Sequence, residues 1–362
     1  MHYDVIVLGG GVAGLSFSFQ CIRRGKSVIL VDPNGVGGGA SGAPASLANP
    51  ATGPKAKLVW EAEKCYSALT DQLEVAQKES SHPIYRASGV LRPALDSKMA
   101  RKMRKNYEAT DWPAGWVEWM DENHVKAMNP EIAVNEGAVW VKKGMTIDTR
   151  RYLHSFLRYL QRHGLEITQP NSYRIEKPET RTGWKIVDYD GMQHSADHLV
   201  FTTGDNLVES KFWKMIPFNR VKGQLATFRI HKPVLGDYAI AARGYLARLK
   251  DDEIVVGSTY EHDFQNRKPE IETADLLQQK MERILPNLQG KSELIHQWAG
   301  VRCSTPDHNP VIGRHPHKEG LYVVGALGSK GMLHSGYLAK LLANHIFENH
   351  SLPKEVSIKR FT

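Results

Sequence analysis

The first apolar run, Val5 to Leu8, has no polar interruption, the pattern of a strand buried on both faces. A glycine-rich turn follows, and then an apolar stretch that reads as a helix to about Arg24, stopped by Gly25. A second continuous run, Val28 to Val31, predicts another buried strand, ending in Asp32. From Lys57 to Lys78 the spacing is helical, with Leu58, Ala62, Cys65, Leu69, Leu73 and Ala76 on one face. Ile147 to Gly164 predicts a further helix, capped by Asp148 or Thr149. Strand pieces surround Ile167, Tyr173 to Ile175, Trp184 to Asp188 and His198 to Phe201, the last ending in a tight turn at Gly204.

The intervening stretches read differently. Between 82 and 145, short strand-like pieces (Ser88–Leu95, Gly137–Lys143) flank a basic helix. There Lys98, Arg101, Lys102 and Lys105 share one face, with Met99 and Met103 on another. Between 217 and 297, the runs Gln224–Ile230, Gly244–Leu249 and Glu253–Thr259 alternate or bunch β-formers between turns, predicting an antiparallel sheet. Ile271 to Leu285 is an amphipathic helix stopped by Pro286. The end returns to the first pattern: an apolar strand Leu321–Leu327, a turn Gly328–Gly331, and a helix. Leu333, Tyr337, Leu338, Leu341, Leu342 and Ile346 form its apolar face. The expected class is α/β (α+β overall), with a Rossmann-like domain of residues 1–81, 146–216 and 298–362. A second domain of residues 82–145 and 217–297 is interleaved with it.

Length agrees with two domains, since 362 residues exceed what one core usually covers. With 41% hydrophobic and 24% charged residues the composition is that of a globular protein, and no apolar run approaches the length of a membrane span. The first strand starts within a few residues of Met1, leaving no room for a signal peptide. Cys21, Cys65 and Cys303 are scattered, odd in number and without metal-ligand spacing, so reduced thiols and a cytoplasmic location are expected. The net charge of +8 fits an ordinary basic enzyme, and also a polyanionic partner such as RNA touching the Lys98–Lys105 stripe.

The candidate chemistry begins at the glycine turn. Gly9, Gly11 and Gly14 spell G-x-G-x-x-G between a strand and a helix, with Val12 and Ala13 opening that helix. The first glycine allows the turn, the second lets the backbone approach a pyrophosphate, and the third lets helix and strand pack closely. The helix N-terminus offers free N–H groups and partial positive charge. Asp32 stands near the spacing of a ribose-hydroxyl acceptor. The Gly/Ala/Pro-rich residues 33–54, centred on Gly39, Ala40, Ser41 and Gly42, can lie against the same dinucleotide. No paired metal-binding histidines occur, and His308 sits alone in a turn.

Taken together these motifs resemble the D-amino-acid-oxidase-type flavoproteins: glycine oxidase, sarcosine oxidase and the oxidase half of a bifunctional tRNA wobble-uridine enzyme. The residues that carry the resemblance are G-x-G-x-x-G with Asp32, Gly39–Gly42, Lys222-Gly223-Gln224, Gly244-Tyr245 and Gly300-Val301-Arg302. Thr305-Pro306-Asp307 with Pro310 and Gly313, and Gly328-Ser329-Lys330-Gly331, complete the set. The resemblance implies a Rossmann-like FAD-binding domain and an antiparallel-sheet substrate domain, with non-covalent FAD. It implies Arg302 as anchor for a substrate carboxylate, with Tyr245 as a second donor. Gly204, Gly328, Ser329, Gly331, Met332 and Leu333 are implied around the flavin, with backbone N–H groups and Lys330 meeting its negative charge. The implied reaction is oxidation of the C–N bond of a small glycine-like amine, with imine hydrolysis and reoxidation by O2 to H2O2. Two alternatives stand beside it: removal of a carboxymethyl group from carboxymethylaminomethyl-uridine in tRNA, and a flavoprotein dehydrogenase or electron carrier without oxidase turnover.

Overall fold

The computed structural model describes residues 1–177, 183–231 and 234–362. Seven helices lie among them: α1 (Val12–Ile22), α2 (Ala62–Gln77), α3 (Ser97–Ala109), α4 (Glu122–Met128), α5 (Thr149–Arg162), α6 (Glu272–Ile284) and α7 (Gly331–Glu348). The strand His2–Leu8 sits inside an eight-stranded sheet. Val28–Val31 lies parallel to it on one side and Gln193–Phe201 parallel on the other. Leu321–Gly325 adds in parallel to the end of Gln193–Phe201, so residues far apart in the chain share this sheet. Val5 and Val7 face α1, α2, α5 and α7, while Ile6 and Leu8 pack on the opposite side with Trp213 and Leu207. An uninterrupted apolar run is what two covered faces require, each buried side chain contributing roughly 1.5–3 kcal/mol.

A second eight-stranded sheet is almost wholly antiparallel. Its order runs Ser292–Ser304, Asn219–Ile230, Glu253–Gly257, Tyr245–Lys250, Ala239–Ala241, Val90–Pro93, Ala138–Val141 and Val117–Met120. Its core packs α3 and α6 through Met99, Met103, Leu277 and Met281. The basic residues of α3 are exposed, as the amphipathic pattern required. Strand Ser292–Ser304 runs through residues 297 and 298, so one long strand of the second sheet ends beside the turns Ala40–Gly42, Gly204–Glu209 and Gly328–Lys330 of the first.

Three local expectations shift. Helix α2 starts at Ala62 rather than Lys57, because Lys57–Leu58 pairs with Ala51–Thr52 in a short hairpin. Ile147 closes a strand, Met145–Asp148, and α5 begins after it. Asp148 is the cap, its carboxylate accepting from Arg151 N at 3.0 Å. Helix α1 ends at Ile22, and Gly25, at φ +67°, turns the chain with its N–H bonded to Ile22 O.

Candidate active site

The two sheets meet across a cavity of about 820 Å³. One end is built by the glycine turn. Gly9 takes φ +107°, its N–H donates to Val31 O at 2.9 Å, and Thr202 Oγ1 donates to the carbonyls of Leu8 and Gly9. A Cβ at Gly14 would overlap Gly9 O, so the third glycine is what lets α1 sit on the turn. Asp32 accepts from Gly10 N at 2.6 Å and from Asn34 N at 2.8 Å, which fixes its carboxylate beside the cavity. Ser41 Oγ accepts from Val12 N at 3.1 Å, docking the Gly39–Gly42 loop onto the helix start. A short 3-10 turn, Ala40–Gly42, shapes that loop.

The other end is formed by the second sheet, while the start of α7 lies beside that of α1, an ideal Cβ at Gly331 falling 3.8 Å from Val12 Cγ1. Gly223, Leu225, Tyr245, Ser258, Tyr260, Trp298 and Arg302 line that other end. Arg302 lies flat over Gly223; a Cβ there would overlap Nη2. Its Nη2 donates to Thr259 O at 2.9 Å and Ser258 Oγ at 3.2 Å, and its guanidinium stacks 4.5 Å from the Tyr260 ring centroid. Nη1 and Nε make no hydrogen bond to the described residues, leaving one edge for a ligand. A planar edge of this kind suits the two oxygens of a carboxylate. Tyr245 Oη donates to Ala45 O at 2.8 Å, so its single proton is engaged with the Ala45–Ala48 strand. Burial pushes its hydroxyl pKa up, only partly offset by Arg302 nearby.

Of the other expected residues, Gly9, Gly11, Val12, Ala13, Asp32, Gly39, Ala40, Ser41, Gly204, Gly328, Ser329, Gly331 and Met332 come together on the cavity wall. Gly14 and Gly42 stand just behind it, Gly42 against Gly37 O and near the Trp298 ring. Leu333 turns its side chain into the core of the first sheet. Lys330 is half-buried and reaches His308 O at 3.1 Å, away from the cavity wall; burial lowers its pKa. Arg302 does not pair with Asp307, which instead binds Arg360 at 2.8 Å.

Sequence reasoning did not single out the strap 258–271 that joins Gly257 to α6 and supplies Ser258, Tyr260 and Arg267 to the cavity. Nor did it single out Thr202. The strap has no periodicity to read, and its role appears only when its chain path is known. Thr202, in contrast, stands at the end of a legible strand beside Gly204.

The site has the form a flavin dinucleotide needs. Helices α1 and α7 both open onto one cavity, and neither has an acidic residue in its first turn or a capping side chain from its own N-cap residue. Their first-turn N–H groups and positive dipole ends suit a diphosphate and a charge-bearing ring. At Gly39 a Cβ would meet nothing within 4 Å, so the wall there is backbone facing open space.

These features fit a dinucleotide-dependent oxidoreductase. The chain belongs to the FAD dependent oxidoreductase family (DAO), whose model matches residues 4–345. FAD is therefore its cofactor, and it is an oxidoreductase. It is 26% identical over 396 residues to the tRNA 5-methylaminomethyl-2-thiouridine biosynthesis bifunctional protein MnmC of Leptospira borgpetersenii. That match covers 97% of this chain and 58% of the relative, so the chain spans a little over half of that protein. It is 23% identical to a glycine oxidase of Bacillus licheniformis, covering 96% and 94% of the two chains. Among solved structures, glycine oxidase from Geobacillus kaustophilus superposes with a TM-score of 0.84 at 20% identity, over 97% and 96% of the chains. Iminodiacetate oxidase from Chelativorans sp. BNC1 superposes at 0.81 with 22% identity, over 99% and 98%. Among the described residues no helix is long and apolar enough to cross a membrane, and no cluster of metal-binding side chains occurs.

Proposed function

We propose that the protein oxidises the C–N bond of a small glycine-like amine, an amino acid or N-substituted glycine. The observation that carries this reading is the free edge of Arg302 on the cavity wall, held from behind by Thr259 O and Ser258 Oγ. A substrate carboxylate on that edge places its α-carbon and amine within the cavity, and a charge-assisted hydrogen bond of this kind contributes roughly 1.5–3 kcal/mol. The bound flavin supplies the hydride acceptor, leaving an imine that water hydrolyses; O2 then takes the electrons and gives H2O2. The chain's own part is binding and electrostatics. Gly9–Gly14 and Asp32 would hold the dinucleotide, and the first-turn N–H groups of α7 would favour negative charge on its ring. Tyr245 contributes a polar wall, its oxygen accepting from the substrate amine while its hydroxyl proton stays directed at Ala45 O. Lys330 adds positive charge near the start of α7.

The test is anaerobic bleaching of the flavin absorbance with glycine, sarcosine, proline, D-amino acids and modified tRNA. Bleaching by a glycine-like amine in the native enzyme, lost with Arg302→Ala, is the expected result. Equal bleaching by the variant removes the anchor role. If no amine bleaches the flavin, the protein is an electron carrier or a dehydrogenase for other donors.

A second reading is oxidative removal of the carboxymethyl group from carboxymethylaminomethyl-uridine in tRNA. It is favoured by α3, where Lys98, Arg101, Lys102 and Lys105 are exposed and form no ion pair with the described residues. Binding to tRNA would then weaken steeply with salt through counterion release. A salt-insensitive mobility shift, or none, removes this reading.

A further inference from the structure

Lys222 is a fully buried lysine in the interior of a strand, and its neighbour Gly223 lies under Arg302. Side chains alternate along a strand, so Gly223 and Leu225 face the cavity while Lys222 and Gln224 face the other side. Along the strand's edge the strap 258–271 continues the pairing of Glu253–Gly257, and the antiparallel bridge between Lys222 and Glu261 puts the side chains of both on that side. Lys222 N donates to Glu261 O at 2.9 Å and Glu261 N to Lys222 O at 3.0 Å. Gln224 N donates to Thr259 Oγ1 at 2.9 Å, and Thr259 Oγ1 in turn to Glu261. Gln224 Nε2 donates to Glu261 at 3.1 Å, and Glu270 N donates to Gln224 Oε1 at 2.7 Å. Lys222 Nζ donates to Glu270 Oε1 at 2.5 Å and stands 3.8 Å from Glu261 Oε2. The lysine thus neutralises two carboxylates of the strap, Glu261 and Glu270. Directly before Glu261 in the chain lie the residues that meet Arg302: Thr259 through its carbonyl and Tyr260 through its ring.

We infer that Lys222 is a positioning residue for the substrate-anchoring guanidinium. From the side away from the cavity it clamps the strap to the edge of the strand, so that Ser258, Thr259 and Tyr260 hold Arg302 with its free edge toward the cavity. This rests on the reading of Arg302 as carboxylate anchor. Without the ammonium, Glu261 and Glu270 repel across the gap, the strap relaxes, and Arg302 loses the partners that fix its plane.

The test uses the FAD-loaded enzyme and two non-oxidisable probes of one size, glycolate and its uncharged amide, glycolamide. Their dissociation constants are read from the perturbation of the flavin absorbance. Arg302→Ala is expected to weaken glycolate at least tenfold; if it does not, the anchor reading fails, and this inference with it. Given that loss, Lys222→Met is expected to weaken glycolate about tenfold, to leave glycolamide within about twofold, and to retain FAD. An unchanged glycolate affinity, or an equal loss for both probes, overturns the positioning role, since general loosening of the fold does not select for charge. Should Lys222→Met fail to yield folded holoenzyme, Glu261→Gln provides the same comparison: a loss confined to glycolate supports the clamp, and none overturns it.

Discussion

Gly223 and Arg302 compete for one position: the guanidinium occupies the space where a side chain at 223 would begin, with Cζ 2.8 Å from an ideal Cβ. The two face each other across adjacent antiparallel strands, Gly223 pairing with Gly300 and Val221 with Arg302. The backbone at 223 is not in the left-handed region, so alanine there is permitted by the main chain and excluded only by the guanidinium. Gly223→Ala is expected to fold, bind FAD and lift Arg302 from its plane. The loss should be of the order of one charge-assisted hydrogen bond, roughly 1.5–3 kcal/mol, or about 10- to 150-fold in affinity for a carboxylated amine. Steady-state kinetics with the best amine of the bleaching screen checks this; a KM within about twofold of the native value contradicts it.

Asp32 gives a second expectation. Its carboxylate is pinned by Gly10 N and Asn34 N at the edge of the cavity, which leaves it oriented before any ligand arrives. Asp32→Ala removes a charged acceptor for a ribose hydroxyl and frees two backbone donors. FAD affinity, measured by fluorescence titration of the apoprotein, is expected to fall roughly 10- to 150-fold. Affinity unchanged by the substitution would mean that the ribose is held elsewhere.

The pattern of the chain made the first sheet legible because both its faces are covered. Runs such as Val5–Leu8 and Val28–Val31 then carry no polar residue, and glycine-turn spacing ties them to a ligand. The antiparallel runs were legible for the opposite reason, since turns punctuate them. The hairpin Ala51–Leu58 was hidden because Leu58 happens to extend the helical spacing of Ala62, Cys65 and Leu69, and pairing with Ala51–Thr52 outweighs that propensity. The burial of Lys222, which the sequence offered only as part of Lys222-Gly223-Gln224, and the strap were hidden for a deeper reason. A lysine within a strand reads as a solvated side chain, and only Glu261 and Glu270 arriving from 39 and 48 residues later make its burial tolerable.

Cys303 stands on the cavity wall next to Arg302 and bears on how the flavin is held. Burial pushes its thiol pKa up to about 12, with Asp205 adding to the shift. A thiol kept neutral is a poor nucleophile toward a flavin ring. All of the FAD is therefore expected in the supernatant after acid precipitation, and none on the denatured chain. Flavin absorbance remaining with the pellet would show a covalent link and identify Cys303 as its first candidate.

His334 contributes to the acid sensitivity of the fold. It lies in the first turns of α7, fully buried, and neither ring nitrogen has a partner among the described residues. Burial, reinforced by Lys330, depresses its pKa from 6.5 to about 3. The unfolded chain therefore takes up a proton below pH 6.5 that the folded chain refuses until about pH 3. Stability from this group is complete above pH 6.5 and declines as the pH falls through that window, by up to about 1.4 kcal/mol per pH unit. Asp307, held near 2 mainly by Arg360 and Thr305 against the effect of burial, works in the same direction but only below its ordinary value of 3.8. Between pH 6 and 4 the two are separable. His334→Leu, which removes the titrating ring from an apolar setting, is expected to flatten the fall in unfolding free energy across that interval. Urea denaturation at pH 7, 6, 5 and 4 measures it, and parallel curves for native and variant proteins would assign the acid sensitivity to other groups.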